Sequence, residues 1–356
     1  MAINVSIIIP HYCGQFLGRS LAAIFDSEQQ VNFEVIVVLD SDAAPLPLCW
    51  LDRGVKQVVL EKGKRGFGVG CNLGARLASG DYLLFLNDDA LLTAGCLSPL
   101  VSELERDPSV GVTGPKLRSL KNEKRFDYSG ACGGFLDGVG IPFARGRIFG
   151  SIEEDTGQYD TPLDAFWVSG ACLMIRRHLF ESIGGFFEGF YMQMEEVDLC
   201  WVAQSMGYRV RCIPQSFVWH HGGFTLPEDS LLKAYLNHRN NLVMLMRNLP
   251  LSEWPRLLAR ISLEVFSTFW ALYRPREWRH SMAALICLLS FPLLLRAFFS
   301  RSPIARVPLA KLQGYLPQSV AWLYYAKGLK TFRHLTARRA DTTTESGIVQ
   351  PLEIPS

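Results

Sequence analysis

Short apolar runs alternate with segments of helical periodicity through the N-terminal part of the chain. Four runs predict buried parallel strands, at residues 5–9, 33–39, 57–60 and 82–86. The segments between and after them predict helices at residues 18–25, 69–79 and 94–106, the last capped by Thr93, and a glycine-rich turn at 64–70. This alternation predicts an α/β fold with a Rossmann-like, mostly parallel sheet flanked by helices.

The pattern changes beyond these elements. Residues 118–150 are rich in glycine, aromatic and basic residues, which predicts a long ordered loop. A strand is predicted at 167–175, a helix at 195–206, and short strands at 208–213 and 217–220. After residue 250 a helix is predicted at 261–273, followed by an uncharged run at 281–295 that is shorter than a membrane span. An interfacial or re-entrant helix and a buried core helix both fit that run.

Charge and cysteine content separate the regions further. Residues 251–340 hold 14 Lys/Arg and 3 Asp/Glu, although the whole chain carries a net charge of only +2. A basic, aromatic stretch favours an anionic partner such as lipid headgroups or nucleic acid. Nine cysteines without a C-x-x-C pair predict reduced thiols in the cytoplasm. The N-terminal run lacks the basic start of a signal peptide and predicts a strand instead.

These observations predict three regions. Residues 1–250 are predicted to form an α/β domain, and residues 251–336 a basic and apolar helical appendage. We expect this appendage to associate with a membrane surface. Residues 337–356 form a polar tail that is predicted to be disordered.

Polar residues lie where the predicted parallel strands end. Because these ends share one edge of the sheet, they predict a nucleotide pocket formed by Pro10, Asp40, Asp42, Gly66, Asn72 and Asp88. An acidic residue there suits a ribose hydroxyl or a base N–H, and the turn at residues 64–66 suits a phosphate. The residues after the first strand do not form G-x-G-x-x-G, which excludes a dehydrogenase with the usual dinucleotide turn.

Asn87, Asp88 and Asp89 directly follow the predicted strand at residues 82–86. Adjacent carboxylates repel each other unless a positive group joins them. A divalent cation carrying a phosphate is the usual partner of such oxygen ligands. The alternative is a solvated turn that ends the strand, which an Asp-Asp pair by itself favours.

Two later motifs carry further chemistry. In Glu195-Glu196-Val197-Asp198 the carboxylates point in different directions on a helix, so one is available as a general base while another is structural. Simple complementation of the helix dipole is the alternative. His220 and His221 follow a short strand, where a histidine either binds a metal or has a structural role.

Five motifs in this order resemble family 2 glycosyltransferases with the GT-A fold. They are Ser6 to Pro10, Leu86 to Asp89, Ser169 to Cys172, Glu195 to Leu199 and Trp219 to Gly223. The resemblance covers residues 5–250 and is strongest for the bacterial rhamnosyltransferase-like branch, which builds surface polysaccharides. The region after residue 250 is similar, less specifically, to the membrane-surface appendages of such enzymes.

The resemblance implies a role for each matching residue. Asp89 and His220 are implied to bind a divalent metal, Mg²⁺ or Mn²⁺, and Asp88 is the next candidate ligand. Glu196 is implied to be the general base, with Glu195 as the alternative. The acceptor is implied to bind beside Trp167, Ser169 and Gly170. Three positions depart from the family pattern, because Asn87 replaces an acidic residue, Glu196 replaces an aspartate and His221 replaces a small apolar residue.

The function implied is inverting transfer of a sugar from a nucleotide-diphosphate donor to a hydroxyl of a glycan acceptor. We expect the acceptor to be lipid-linked and the protein to act at the cytoplasmic face of the inner membrane in cell-envelope polysaccharide synthesis. We expect no nucleic-acid partner. The rhamnosyltransferase resemblance favours dTDP-rhamnose over UDP-sugars. Two alternatives are a sugar nucleotidylyltransferase, which usually has a glycine-rich basic loop after the first strand, and a non-catalytic scaffold that binds glycans or lipids.

Overall fold

The computed structural model describes residues 4–12, 14–27, 30–63, 66–127, 130, 133–222, 230–270, 278–290 and 304–335. Its elements follow in the order β1 (Val5–His11), α1 (Leu17–Ser27), β2 (Phe33–Leu39), α2 (Leu48–Leu51), β3 (Lys56–Val59), α3 (Phe67–Leu77), β4 (Tyr82–Leu86), β5 (Ala90–Leu92), α4 (Leu97–Arg106), β6 (Val110–Ser119), β7 (Gly134–Asp137), β8 (Pro142–Ala144), β9 (Arg147–Ile148), β10 (Ser151–Ile152), β11 (Leu163–Asp164), β12 (Cys172–Arg176), α5 (Arg177–Ile183), α6 (Glu195–Ser205), β13 (Arg209–His220), α7 (Leu231–Asn248), α8 (Trp254–Trp270), α9 (Trp278–Leu289) and β14 (Tyr315–Leu316).

The main sheet has the strand order β11-β13-β6-β12-β4-β1-β2-β3, with β5 joined to β13. Strands β3, β2, β1 and β4 run parallel, whereas β12 is antiparallel between β4 and β6. Every residue of β1 and β4 is buried, as expected for a parallel sheet covered on both faces. The predicted α/β fold with a mostly parallel sheet flanked by helices is confirmed.

Helix α3 lies unusually close to β1 because glycines line the contact. A Cβ on Gly74 would lie 2.4 Å from Ile8 Cγ2, and one on Gly70 would lie 3.1 Å from Pro10 Cβ. The helix begins at Phe67, so the predicted turn at residues 64–70 is too long at its C-terminal end. The glycines after Gly66 serve this close packing, and residues 64 and 65 lie outside the described residues.

A buried carboxylate fixes the edge of the sheet that faces away from the strand C-termini. Glu34 accepts hydrogen bonds from Ser6 Oγ (2.6 Å), the Ser79 N–H (2.6 Å) and Lys56 Nζ (2.5 Å). Burial would raise the pKa of Glu34, but these donors outweigh it and lower the pKa to about 2. The parallel half of the sheet is therefore tied together away from the site.

The middle of the chain departs from the predicted elements in three places. Thr93 does not cap α4, which begins at Leu97; its Oγ1 donates to the Phe217 carbonyl (2.7 Å) instead. The two strands predicted at 208–213 and 217–220 are one strand, β13, because a register shift after Ile213 lets it continue along β6. The strand predicted from residue 167 begins only at Cys172.

A second, five-stranded sheet lies in the segment predicted to be a long loop. Its order is β10-β9-β8-β7-β14, and β14 comes from far along the chain. Asp137 accepts hydrogen bonds from the Ile141 N–H (2.7 Å) and the Val320 N–H (2.8 Å), and burial raises its pKa to about 6 against these donors. The prediction of a loop over residues 118–150 is therefore wrong for β7, β8 and β9.

The C-terminal region contains helices and then returns to this second sheet. Glu153 accepts from the Phe332 N–H (2.8 Å), and Gln204 accepts from the Gln313 N–H (2.7 Å). The predicted boundary at residue 250 stays a prediction. Among the described residues no helix combines the length and the hydrophobicity needed to cross a bilayer. Residues 291–295 of the uncharged run and the predicted tail at 337–356 lie outside the described residues.

The cysteines differ in their covalent state. Cys71, Cys172 and Cys200 are buried thiols whose pKa values are raised by burial. Cys212 is disulfide-bonded, so the expectation that all cysteines are reduced is wrong at this position.

Candidate active site

The candidate site lies where β4 ends and β13 crosses the same edge of the sheet. The Asn87 N–H donates to the Ala171 carbonyl (3.0 Å), and the Ala90 N–H closes a turn onto the Asn87 carbonyl (3.1 Å). Strand β5 then pairs with β13, with Ala90 opposite His220. This pairing brings His220 beside Asp89, 131 positions earlier in the chain.

The two aspartates that follow Asn87 have different surroundings. Asp89 Oδ1 lies 3.1 Å from His220 Nε2, and Asp89 Oδ2 accepts the Gly222 N–H (3.0 Å). Burial would raise the pKa of Asp89, but the interaction with His220 outweighs it and lowers the pKa. Asp88 Oδ2 lies 2.6 Å from His11 Nδ1, yet burial keeps its pKa raised. The Asp88 side chain is 18% exposed and that of Asp89 is 7% exposed, so Asp88 is the more accessible.

A third carboxylate holds the opposite side of the His220 ring. Asp127 Oδ1 lies 3.0 Å from His220 Nδ1, and both side chains are buried. Burial would lower the pKa of His220, but Asp127 and Asp89 outweigh it and raise the pKa to about 10. A carboxylate on one ring nitrogen fixes the orientation of a histidine that binds a metal through the other.

We tested whether these residues fit a divalent cation. No three His, Cys, Asp or Glu side chains converge on one point in the described part of the chain. Asp89 Oδ1 and His220 Nε2 lie 3.1 Å apart and share a hydrogen bond. The pair would supply one oxygen and one nitrogen to Mg²⁺ or Mn²⁺ once Nε2 loses its proton, and substrate phosphates would supply further ligands.

The second acidic cluster begins helix α6. It follows a turn in which Tyr191, Gln193 and Met194 adopt positive φ, which is costly for residues other than glycine. The amide of Asn240 on α7 holds this turn by donating to the carbonyls of residues 190, 192 and 193 at 2.6–3.1 Å. The turn therefore has a defined shape directly before Glu195.

Glu195 and Glu196 point to different surroundings. Glu196 is partly exposed and lies against Gly170, where a Cβ would be 3.6 Å from Glu196 Cβ. Burial raises the pKa of Glu196, although the Gly170 backbone hydrogen-bonds to it. Glu195 is buried toward α3, with Oε1 lacking a hydrogen-bond partner among the described residues. Burial, and then the charge of Glu196, raise the pKa of Glu195 well above its usual value.

Asp198 has a structural environment in the same helix. Its carboxylate accepts from Asn248 Nδ2 (2.6 Å) and lies 3.4 Å from Arg247 Nε. Burial keeps the pKa of Asp198 raised even so. These contacts join α6 to α7, so Asp198 anchors the helix that carries Glu196.

The segment predicted to lie beside the acceptor is divided between two places. Ser169 and Gly170 directly precede Ala171, whose carbonyl accepts the Asn87 N–H, and Gly170 also lies against Glu196. This segment therefore lies between the two acidic clusters. Trp167 is buried, its Nε1 donates to the Phe135 carbonyl (3.2 Å), and its ring covers Gly134. The structure therefore brings Ser169 and Gly170 to the site and places Trp167 under the second sheet.

The predicted nucleotide-binding residues lie mostly at the same edge. Asp40 donates its N–H to the His11 carbonyl (2.9 Å), and its Oδ1 accepts from the Asp42 N–H (3.2 Å). The Gly66 N–H donates to the Tyr12 hydroxyl (2.9 Å), which brings the start of α3 to the end of β1. The binding roles of Pro10, Asp40, Asp42 and Gly66 stay predictions.

Asn72 stands apart from that group. Its Oδ1 accepts the Phe186 N–H (2.9 Å), and its Nδ2 donates to the Phe186 carbonyl (2.9 Å). The side chain thus clamps the segment before the strained turn, and its predicted contact with a nucleotide stays a prediction.

Sequence reasoning missed two residues of this site. His11 directly follows Pro10, so the same strand-end argument that selected Pro10 would have found it. Asp127 lies in the segment predicted to be a loop and follows no predicted strand. Only the tertiary structure brings Asp127 to His220, 93 positions away.

Several characterised proteins have related sequences. The chain is 32% identical over 236 residues to the O-antigen biosynthesis protein RfbC of Myxococcus xanthus, covering 65% of this chain and 18% of that protein. It is 27% identical over 169 residues to N-acetylglucosaminyl-diphospho-decaprenol L-rhamnosyltransferase of Mycobacterium tuberculosis, covering 46% and 55%. It is 24% identical over 225 residues to rhamnosyltransferase WbbL of Escherichia coli K12, covering 60% and 82%. The chain therefore spans less than two thirds of the first two proteins.

Two solved structures share the fold. GalNAc-T7 with UDP, GalNAc and Mn²⁺ superposes with a TM-score of 0.54 at 15% identity, covering 76% of this chain and 51% of that one. The mannosyltransferase PcManGT of Pyrobaculum calidifontis, in complex with GDP-Man and Mn²⁺, superposes with a TM-score of 0.50 at 16% identity, covering 82% and 87%. At these identities the likeness concerns the fold alone.

The family model described as Glycosyl transferase family 2 matches residues 6–184, which is half of the chain. The matched region runs from β1 through Asn87, Asp88 and Asp89 to the acceptor segment, and so contains three of the five motifs on which the resemblance depended. The resemblance is confirmed: this chain belongs to glycosyl transferase family 2.

Proposed function

We propose that the protein is an inverting glycosyltransferase that moves a sugar from a nucleotide-diphosphate donor to a hydroxyl of a glycan acceptor. Its relatives include an O-antigen biosynthesis protein and two rhamnosyltransferases, one of them named for a decaprenol-linked substrate, which favours polysaccharide synthesis on a lipid-linked acceptor. Such an acceptor would place the protein at the cytoplasmic face of the membrane. One observation carries the proposal: Gly170 and Ala171 link Glu196 to the Asn87 turn, so a general base and a phosphate anchor share one edge.

The donor would lie across the C-terminal ends of β1, β2 and β4. Asp40 and Asp42 suit the ribose or the base, and Gly66 would line the pocket at the start of α3, where its N–H is bound to the Tyr12 hydroxyl. Asn72 supports this pocket from behind by holding Phe186. Asp88, held by His11, faces the donor side of the turn.

Asp89 and His220 are the residues that would hold a Mg²⁺ or Mn²⁺ ion. When bound, such an ion offsets the negative charge that develops on the departing diphosphate. Asp127 keeps the His220 ring oriented, since its carboxylate accepts from Nδ1 and leaves Nε2 toward Asp89.

Glu196 would act as the general base. It takes the proton of the acceptor hydroxyl while that oxygen bonds to the anomeric carbon of the sugar. The bond from that carbon to the diphosphate oxygen breaks on the opposite side, the diphosphate keeps the electron pair, and the anomeric configuration inverts. A raised pKa brings Glu196 closer to the working pH, where a general base is most efficient.

The surrounding segments would exclude water, which competes with the acceptor for the donor. Ser169 and Gly170 form one wall beside Glu196, and the Gly134–Trp167 contact closes the second sheet behind that wall. A glycine at position 170 leaves room for the acceptor hydroxyl to reach the carboxylate of Glu196.

A transfer assay tests the proposal. Thermal shifts with dTDP-rhamnose, UDP-sugars and GDP-sugars, each with Mn²⁺ or Mg²⁺, would identify the donor, because a specific ligand stabilises the folded protein by mass action. Sugar transfer to a polyprenyl-diphosphate-linked acceptor is then measured, and the anomer of the product is determined by NMR. Glu196→Gln should lower kcat by about 10² to 10⁴ while the donor-induced thermal shift remains.

Glu181→Gln is the matched control, because Glu181 lies exposed on α5 and outside the site. It should transfer sugar at the wild-type rate. Wild-type turnover by Glu196→Gln would reject the base assignment. A product with retained configuration would reject the single-displacement mechanism.

A further inference from the structure

Helix α8 has its charged residues inside and its large apolar residues outside. Arg260 and Glu264 are 7% and 0% exposed. On the opposite face, Leu258 is 63% exposed and Phe266 is 57% exposed. A surface helix of a water-soluble domain normally shows the reverse arrangement. The exposed stripe of α8 runs through residues 255, 258, 259, 262, 265, 266 and 269 and contains no charged side chain.

The buried charges hold α8 in this orientation. Glu264 lies 2.6 Å from both Arg260 Nη1 and His238 Nδ1, and Arg260 Nε donates to Asn241 Oδ1 (2.7 Å). Rotating the helix to bury Phe266 would break this network and leave buried charges unpaired, which is strongly destabilising. The apolar stripe is therefore a fixed feature of the folded protein.

Helix α9 repeats the arrangement beside α8. Ser281, Ala284 and Cys287 face inward, and Ser281 Oγ donates to the Ser267 carbonyl of α8 (2.7 Å). Small residues let the two helices approach closely. The outward stripe of α9 consists of large apolar side chains spaced at helical intervals, at residues 278, 282, 285 and 289.

Aromatic and basic residues border these two stripes. Tyr325 lies 6.3 Å from the Trp270 ring at the end of α8, and Trp322 is exposed one turn before it. Lys327 lies over the Trp322 ring (5.9 Å), and Arg279 lies over the Trp278 ring (5.5 Å). We use the term apolar face for the exposed side chains Leu258, Val265, Phe266, Phe269, Trp278, Met282, Leu285, Leu289, Trp322 and Tyr325.

The charge around the apolar face is positive. Among its described residues, the region from 251 to 335 contains eight Lys/Arg, of which Arg260 is buried, and two Asp/Glu. The two acidic side chains that the structure describes there are turned away from solvent: Glu264 is buried, and Glu253 accepts the Leu309 N–H (3.1 Å). Exposed cations at Lys327 and Lys330 are left at the border, where they complement an anionic surface.

We propose that the apolar face binds the surface of an anionic lipid bilayer by lying in the headgroup region without crossing it. Apolar side chains enter the boundary of the acyl chains, Trp and Tyr lie at the headgroup level, and the basic border contacts lipid phosphates. Helix α8 has 17 residues, a length of about 26 Å, and lies in the membrane plane. Lipid contact through this face does not require that the protein be a glycosyltransferase.

The face has a fixed relation to the candidate site through α7. On one side α7 packs against α8 and α9, and His238 of α7 bonds to Glu264. On its other side Asn240 holds the turn before Glu195. Two helix layers, α8 and then α7, therefore separate the bilayer contact from that turn, a distance of about 20 Å. If the proposed function holds, the glycan of an acceptor anchored in the same bilayer spans about this distance to reach Glu196.

Vesicle sedimentation tests the proposal without a donor or an acceptor. The full-length protein is mixed with vesicles of phosphatidylcholine containing 0 or 30% phosphatidylglycerol, at low and high salt. Wild type should bind the anionic vesicles, and binding should weaken with added salt. The variant Leu258→Glu/Phe266→Glu removes two inserted side chains and adds two negative charges, so it should lower the partition coefficient by about 100-fold.

The matched control is Leu48→Glu/Leu77→Glu, which places the same charges at exposed leucines outside the apolar face. It should bind vesicles as the wild type does. Circular dichroism and melting curves check that both variants fold. Quenching of tryptophan fluorescence by lipids brominated near the headgroup should exceed quenching by lipids brominated near the chain end.

Two outcomes would overturn the proposal. One is equal vesicle binding by wild type and Leu258→Glu/Phe266→Glu. The other is a wild-type dimer in sedimentation velocity that this variant dissociates, without vesicle binding, because the face would then belong to a second copy of the chain. If the wild-type protein binds vesicles but transfers no sugar, the result would count against the proposed function alone.

Discussion

The two acidic clusters of the site differ in what surrounds their carboxylates. Asp89 has a histidine on one oxygen and a main-chain N–H on the other, and its pKa is lowered despite burial. Burial raises the pKa of both Glu195 and Glu196, and the charge of Glu196 raises that of Glu195 further. The same residue chemistry thus has opposite protonation preferences at one edge of one sheet.

This difference indicates that the two clusters have different chemical roles. A carboxylate that stays ionised suits a cation and the phosphate it carries, whereas a carboxylate with a raised pKa suits proton transfer near neutral pH. Their separate environments come from different partners, since β13 supplies His220 to Asp89 and α7 supports the turn before Glu195. Each cluster can therefore be altered without the other.

The largest expected effect follows from removing the charge of Asp89. Asp89→Asn keeps the size and one acceptor oxygen but loses the carboxylate, so activity should fall by about 10² to 10³, equivalent to several kcal/mol of lost charge stabilisation. The metal-dependent thermal shift with donor should also disappear, whereas Glu196→Gln should retain it. Wild-type activity that survives EDTA would contradict a metal role for Asp89.

A smaller effect is expected at Asp127, which touches His220 but not the donor side. Asp127→Asn should weaken Mn²⁺ affinity by about 10 to 100-fold, because the ring of His220 loses its orienting carboxylate. The measurement is the Mn²⁺ concentration at half-maximal thermal shift, with excess metal restoring it. Asp164→Asn is the control, since Asp164 pairs with Arg209 and Arg211 away from the site. An unchanged Mn²⁺ midpoint in Asp127→Asn would remove Asp127 from the site.

The smallest expected effect concerns stability and pH at Glu195. Its folded pKa is raised above the usual value near 4.5, so the folded state binds this proton more tightly than the unfolded state does. Its contribution to stability is therefore complete below about pH 4.5 and is lost as the pH rises toward and through the raised pKa. Glu195→Gln is neutral at every pH. The free energy of unfolding of wild type, relative to this variant, should fall by about 1 to 2 kcal/mol between pH 5 and pH 8.

Urea denaturation at the two pH values measures this difference. Glu181→Gln serves again as the control and should follow the wild-type pH dependence. If Glu195→Gln and wild type change in parallel with pH, Glu195 is ionised in the folded protein and the two clusters are alike.

The sequence was sufficient where burial alone decides the structure. Strands β1, β2 and β4 are mainly apolar apart from Ser6, His11 and Glu34, and their short length favours strands over helices. Strand β6 was missed because glycine, proline, threonine and lysine interrupt its pattern. The strands of the second sheet have two to four residues each, too few to show a period, and they depend on β14 from the far end of the chain.

The same distinction holds for the site. Asn87, Asp88 and Asp89 were predictable because a strand end fixes their position relative to the sheet. The pairing of Asp89 with His220, and of His220 with Asp127, depends on the register of β13, which no local pattern encodes. The order of the motifs identified His220 as the partner of Asp89. It could not identify Asp127, because the residues around Asp127 form no such motif.

The hydrogen bond from the Val320 N–H to Asp137 joins residues 183 positions apart, and it has a consequence for synthesis. A ribosome adds about 5 to 20 residues per second, so β7 emerges about 10 to 40 seconds before the segment that completes its sheet. During that interval one edge of β7 is unpaired, and Phe135 and Phe143 lack the Phe332 ring that later packs beside them. The newly made chain thus passes through a period of exposure to chaperones and to aggregation that ends only when its last described residues arrive.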